Sequence, residues 1–339
     1  MIIYFILERF DNIMKDFLKN KDTSNCQNRI INYFDDIVPT NINYTHSILT
    51  SNINFLTSIY PFLEIFNIGY SYLNKSIPCI RFGNGTKKVF YSAAIHANEW
   101  ITTPLLLKFA EEYASAYAQN GIINGEIASS LYDTYSLYLV PMVNPDGVDL
   151  VNGVLGNARY EQQAKIIAAQ YPDIPYPDGW KANIDGVDLN LQFPAGWEQA
   201  RTIKFSQGYT TPAPRDYVGE APLTAIESIN VYEFTRMHDF RLIIAYHTQG
   251  EVIYWKYMDY EPDKSRQIAQ YFGNVSGYAV EETPTESGYA GYKDWFIQEY
   301  DRPGYTIEAG LGVNPLSMEQ FPQIYRDNYY ILVGGMTQI

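Results

Sequence analysis

Three apolar runs, widely separated along this 339-residue chain, each end on a residue able to bind a metal or carry a proton. Val89, Phe90, Tyr91, Ala93, Ala94 and Ile95 lead to His96, Leu242 to Tyr246 lead to His247, and Tyr305 to Ile307 lead to Glu308. Runs that are apolar throughout, rather than at alternate positions, read as strands buried on both faces. Further strand-like runs lie at Ile80 to Phe82, Leu137 to Val143 and Val252 to Trp255. They alternate with helical stretches such as Leu105 to Ala118, Ala225 to Met237 and Ser265 to Phe272. This order predicts an α/β fold, a mixed, mostly parallel twisted sheet with helices on both faces. In open sheets of this kind ligands bind beyond the carboxyl ends of the strands. His96, His247 and Glu308 are therefore expected in one crevice.

The first run continues as H-x-x-E, with Glu99 three residues after His96, and Thr102, Thr103 and Pro104 mark the start of a helix just beyond. H-x-x-E alone recurs by chance, and its context carries the weight. Two imidazoles and a carboxylate make up a catalytic zinc set, which uses three protein ligands and leaves a fourth position for water. His96, Glu99 and His247 are the expected ligands of one zinc ion. Glu308 is the expected general base, since a carboxylate beside the attacking water can take its proton and pass it to a leaving amine.

These landmarks, with NPDG at Asn144 to Gly147 and GVDLN at Gly186 to Asn190, resemble in order and spacing the zinc carboxypeptidases of the M14 type. Within that family the likeness is to the bacterial γ-D-glutamyl-L-diamino acid endopeptidases, carried by HANEWITTPLLLKF, WKANIDGVDLNLQFP, HTQGEVIYW, GYKDWF and IEAGLGVNPL. The resemblance covers roughly residues 44 to 339, which read as one catalytic domain. It implies His96, Glu99 and His247 as zinc ligands and Glu308 as base, and hydrolysis of the γ-D-glutamyl to diaminopimelate amide of peptidoglycan peptides. Two other readings stay open: a metallocarboxypeptidase or deacylase acting on another amide, and a binding protein that keeps the zinc fold without turnover.

The resemblance also implies a cation beside the oxyanion, usually an arginine in W-R-K-N. The matching segment here is Trp180 to Asn183, which makes Lys181 the candidate and Arg159 its alternative. A lysine offers a point charge where arginine offers a planar fork. After GVDLN, ordinary carboxypeptidases carry an arginine that grips the C-terminal carboxylate of the substrate; Leu191 stands there instead. A standard exopeptidase is disfavoured, because arginine to carboxylate pairs supply both energy and geometry. Asn190, Leu191 and Gln192 remain the candidate substrate contacts. A tyrosine that closes over the substrate is expected shortly before Asp294 and Trp295. Tyr289, in a Gly288 to Gly291 segment that suits a mobile loop, is the candidate, although direct spacing points to Glu286.

A net charge of -14, with no basic stripe in the sequence, argues against a nucleic-acid partner, and it would repel an acidic substrate at long range. If the substrate is a wall peptide rich in carboxylates, local cations and zinc must attract it. Residues 1 to 43 stand outside the resemblance, and Ile3, Ile6, Phe10, Ile13, Phe17 and Leu18 recur there at helical spacing, which predicts an amphipathic helical extension. Ile2 to Leu7 is too short for a secretory core and no membrane-spanning run is visible, so a cytoplasmic place, or wall or spore association by a non-standard route, is expected. Two cysteines, Cys26 and Cys79, make no disulfide framework. Gly153 to Gly179 reads as an insertion near the cleft mouth. His46 is expected to be structural, and so is His238, at a helix end where its cationic form suits the dipole.

Overall fold

A computed structural model of the chain describes residues 37–339. The helical periodicity between Ile3 and Leu18, and Cys26, lie outside the described residues. Eight strands form one sheet: β1 (Glu64–Tyr70), β2 (Ser76–Phe82), β3 (Lys87–Ser92), β4 (Tyr135–Val140), β5 (Phe240–His247), β6 (Val252–Tyr254), β7 (Ala279–Glu281) and β8 (Gly304–Glu308). Their order is β1-β2-β4-β3-β5-β8-β6-β7. The centre is parallel, β4 with β3, β3 with β5 and β5 with β8. The flanks turn antiparallel at β1 with β2, β2 with β4 and β8 with β6, and β6 pairs parallel with the short β7.

Ten helices accompany the sheet: α1 (His46–Ile59), α2 (Thr102–Ala118), α3 (Ala128–Thr134), α4 (Pro145–Val151), α5 (Ala158–Ala168), α6 (Trp197–Ser206), α7 (Ile226–Arg236), α8 (Ser265–Ser276), α9 (Tyr292–Tyr300) and α10 (Phe321–Thr337). Successive side chains of the central strands serve opposite faces, as the strand period requires. Phe90 and Ile243 join a buried cluster with Phe234 of α7 and with Trp295 and Phe296 of α9. One residue further on, the Tyr91 hydroxyl donates to the Leu332 carbonyl of α10 at 2.9 Å. On that same face a Cβ at Gly335 would meet the Tyr91 oxygen at 2.3 Å and the Ile244 side chain at 3.0 Å, so only glycine lets α10 lie this close to the sheet. Each large apolar side chain buried in this way contributes about 1.5–3 kcal/mol relative to exposure. This two-sided burial is why the central strands carry no polar alternation.

The apolar runs overshoot the strands they predict, and the overshoot has a structural cause. The run to Ile95 is a strand only as far as Ser92, and the run to Val143 only as far as Val140. Beyond those points the two segments cross and bond irregularly, Ala93 N to Val140 O, Val143 N to Ala93 O and Asn144 N to Ala94 O, with Ala94 in the left-handed region at φ 47°. These residues are apolar because they are buried under the sheet's edge, and apolarity reports burial rather than strand geometry. The strand β1 escaped the sequence reading for the opposite reason. It is an edge strand, bonded to β2 alone and with none of its residues fully buried.

One other expectation is corrected, that for His238, and three further residues or segments are placed. The segment Gly153 to Gly179 carries α5 and contributes no residue to the lining of the catalytic cleft. His238 is not cationic by preference; burial among Tyr138, Phe234 and Phe240 lowers its pKa, and its Nδ1 bonds the Phe234 carbonyl at 2.8 Å. Cys79 is a fully buried thiol of β2, where burial pushes its pKa up and keeps it unreactive. His46 opens α1, as a structural residue would, with its Nε2 at 2.9 Å from the Ser76 carbonyl. Among the described residues no helix is long and apolar enough to cross a membrane.

Candidate active site

His96 leaves β3 with an extended backbone, and a 3-10 turn over Ala97–Glu99 brings Glu99 round to the same side. Its Nδ1 lies 3.0 Å from Glu99 Oε1. His247 and Glu308 are the final residues of β5 and β8 and are register partners in that parallel pair, so both emerge at one edge of the sheet. His247 Nδ1 stands 3.0 Å from Glu99 Oε2 and 3.2 Å from His96 Nδ1. One donor atom from each of His96, Glu99 and His247 falls within 4.8 Å of the others, and all three residues are buried. Two nitrogen lone pairs this close repel, and a cation shared between them removes the repulsion. The donor set and the number of ligands fit zinc.

The surrounding charges favour a cation between these residues, either a proton or a metal ion. Burial opposes a charge on His96, but Glu99 and Asp188 outweigh it and push its pKa up to about 9. Burial also works against the Glu99 carboxylate, yet Lys181, His96 and His247 hold its pKa well below the usual range. For Glu308 the balance goes the other way, because burial and repulsion from Glu99 raise its pKa against the pull of His247. The ligand carboxylate is thereby kept ionised and the strand-end carboxylate made more basic.

Asp188 completes the site and was not singled out from the sequence, although it lies within GVDLN. Its Oδ1 is 3.1 Å from His96 Nε2, and the backbone N–H groups of Asn190 and Asp216 donate to its two oxygens at 3.2 and 3.0 Å. A carboxylate so held can only accept. It therefore places the imidazole proton on Nε2 and leaves the Nδ1 lone pair for the metal. The NPDG motif serves the same geometry: Asn144 caps α4 through Gly147 N, while its amide donates to the carbonyls of Ile95 and Ala182, next to His96 and Lys181. Asp188→Asn should weaken zinc binding about 10- to 100-fold with the fold retained. Competition with a chromogenic chelator reads this, and an unchanged affinity would remove Asp188 from the support of the site.

The other predicted residues divide. Lys181, Asn190 and Leu191 line the cleft together with His96, His247 and Glu308. The Lys181 ammonium sits 2.7 Å from Glu99 Oε1; burial would lower its pKa, but Glu99 and Glu308 raise it, so it stays charged. The amide oxygen of Asn190 accepts from Tyr292 N at 3.1 Å, and Leu191 packs with Trp197, Ala200, Val218 and Ala290. Gln192 is not a substrate contact. It is fully buried, and its carboxamide ties down the backbone N–H groups of Thr224 and Ala225 and the carbonyls of Val218 and Ala221. Arg159 is exposed on α5, over the Tyr160 ring, away from the cleft.

Tyr289 does not line the cleft either. Its segment is strapped down by Ala290 N to Ala195 O and Phe193 N to Ala290 O, and its ring packs on Gly196 and the Leu191 cluster. Glu286 is exposed and also absent from the lining. The phenol that does reach the cleft belongs to Tyr254 of β6, opposite Thr306 of β8. Lys293 and Arg215 reach it as well. Lys293 could have been noticed beside Asp294 and Trp295, whereas Arg215 lies in a loop that carries no motif.

The model of the zinc carboxypeptidase family matches residues 49–330. The chain is 46% identical over 282 residues to γ-D-glutamyl-L-diamino acid endopeptidase 1 of Lysinibacillus sphaericus, an alignment that covers 83% of this chain and 69% of that protein. It is 41% identical over 282 residues to the uncharacterized protein YqgT of Bacillus subtilis, covering 82% of this chain and 73% of the relative. In architecture it is similar to the crystal structure of carboxypeptidase A from Helicoverpa armigera, with a TM-score of 0.65 at 17% identity, over 88% of this chain and 74% of that one.

Proposed function

The chain belongs to the zinc carboxypeptidase family, as a metallopeptidase, and on that premise we propose that it hydrolyses the amide between the γ-carboxyl of D-glutamate and a diamino acid such as meso-diaminopimelate in peptidoglycan peptides. The observation that carries this reading is the composition of the cleft. His96, Glu99, His247 and Glu308 converge there, while Leu191, at the sequence position where the resemblance expects a carboxylate-binding arginine, brings no cation to the cleft.

His96, Glu99 and His247 would hold the zinc, which when bound supplies a Lewis acid and lowers the pKa of water at its open position. The rest of the chemistry falls to the chain's own groups. Glu308, at the end of a rigid strand and with its pKa raised by burial, takes the proton of the attacking water and returns it to the departing nitrogen. The Lys181 ammonium faces the carbonyl oxygen as negative charge develops on it. Asp188 holds the His96 ring still throughout.

The test is to incubate zinc-loaded protein with L-Ala-γ-D-Glu-meso-diaminopimelate and, separately, with ordinary peptides bearing a free C-terminus. Diaminopimelate should be released from the first, and the second should remain intact. Trimming of ordinary peptides would replace this reading with an exopeptidase. No turnover of either would favour a binding protein built on the zinc fold.

A further inference from the structure

Arg215 stands apart from the other cations in the cleft. The Lys181 ammonium is engaged by Glu99, and Lys293 donates to the Lys256 carbonyl at 2.7 Å and to the Asp294 carboxylate. Arg215 uses only its Nε, which donates to Asp216 Oδ2 at 2.7 Å. Its terminal nitrogens make no hydrogen bond or ion pair to any described residue, and its side chain is 41% exposed on the wall of the cleft.

The base of this side chain is held as firmly as the catalytic residues are. The Pro214 carbonyl accepts from the backbone of both Lys181 and Ala182, at 2.7 and 2.9 Å. Asp216 N donates to Asp188, and Asp188 N donates to the Tyr217 carbonyl at 2.8 Å. The Asp216 carboxylate is in turn gripped by the Lys204 ammonium at 2.6 Å. Asp216 adopts φ 65°, a left-handed conformation that costs energy for a residue with a side chain and persists only where its surroundings impose it. The segment 214–217 is thus laced to the strip 181–188 that carries Lys181 and Asp188.

A guanidinium fixed at Nε with its outer edge free is pre-organised for a carboxylate, which it can meet through parallel N–H···O bonds. The need for such a group follows from the net charge of -14, which opposes acidic ligands at a distance. We infer that Arg215 recognises a free carboxylate beside the scissile amide and so makes the cleft selective for amides flanked by one. The inference rests on the hydrolytic reading above and names the substrate group that reading left without a partner. In a γ-D-glutamyl diamino acid peptide two sources qualify, the α-carboxylate of the glutamyl residue and the carboxylates of the diamino acid.

The experiment compares unaltered protein, Arg215→Ala and Arg215→Lys on three peptides: the parent acid, the peptide with the glutamyl α-carboxylate amidated, and the peptide with the diamino acid amidated. Arg215→Ala should lower kcat/KM on the parent about 10- to 100-fold, mostly through KM, with partial rescue by lysine. On the peptide that lacks the recognised carboxylate the same substitution should cost less than about threefold, because the coupled partner is already gone. Loss of the penalty with either amidated peptide supports the inference and identifies the source. Equal penalties on all three peptides overturn it and reduce Arg215 to a brace for Asp216 and Asp188.

Dissociation constants for the same peptides, measured calorimetrically on zinc-loaded Glu308→Gln protein with and without Arg215→Ala, separate this inference from the hydrolytic reading. Preference for acid over amide that depends on Arg215, without diaminopimelate release by the unaltered protein, sinks the reading and keeps the inference. Turnover with no Arg215-dependent preference does the reverse, and absence of binding by every peptide overturns both.

Discussion

Glu308→Gln should lower kcat on the γ-D-glutamyl peptide about 10²- to 10⁴-fold while zinc content and KM change little. Glutamine has the shape of glutamate, so β8 keeps its register with β5 and the cleft keeps its wall. What disappears is the carboxylate that β8 presents to accept a proton. The side chain is not a metal donor by geometry, since the three convergent donors come from His96, Glu99 and His247. Its raised pKa matches a group that must hold a proton briefly and then surrender it. The measurement is kcat on zinc-loaded variant, with metal content determined on the same sample. A variant that keeps more than about a tenth of the activity would remove Glu308 from proton transfer, since even modest general-base catalysis is worth more than that.

Loss of the metal should have a larger effect still. His247→Ala, or dialysis of the unaltered protein against a strong chelator, should abolish turnover, and zinc added back should restore it only to the chelated, unaltered protein. The difference lies in the donor set. Chelation leaves three convergent ligands in place, whereas the substitution leaves Glu99 with one imidazole and the Lys181 ammonium. Two donors on a 3-10 turn do not close a tetrahedral site. Far-UV circular dichroism should be unchanged by chelation, because His247 and Glu308 are positioned by parallel strand pairing and His96 by Asp188, neither of which depends on the ion. Activity that survives metal removal would end the zinc mechanism.

The parts of the site that were readable beforehand share a physical property. His247 and Glu308 each end a run that is apolar because its strand is covered on both faces, His96 follows a buried run that continues past its strand, and the end of such a run is a local fact of composition. Glu99 was readable for a related reason, since three positions on a short turn return to one side. Asn190 and Lys181 followed from motifs that sit beside these strand ends. Gln192 was not legible in this way, because a polar side chain near a motif carries no local sign of its direction. It turns inward to satisfy four backbone groups, while the strap between Ala195 and Ala290 holds the segment of Tyr289, whose neighbours Ser287 and Gly291 line the cleft.

The amino-acid sequence by itself therefore determined the central strands and which residues meet at their carboxyl ends, because burial on both faces and the spacing within a turn are written within a few neighbouring residues. The tertiary structure alone decided what surrounds them. Asp188 meets His96 across 92 positions, and Arg215 reaches the cleft because its loop pairs with a strip some thirty residues earlier. Contacts of that span depend on how separate loops bond to each other once the sheet has formed. They settle which ring nitrogen of His96 meets Asp188 and which cation of the cleft keeps its terminal nitrogens unbonded among the described residues.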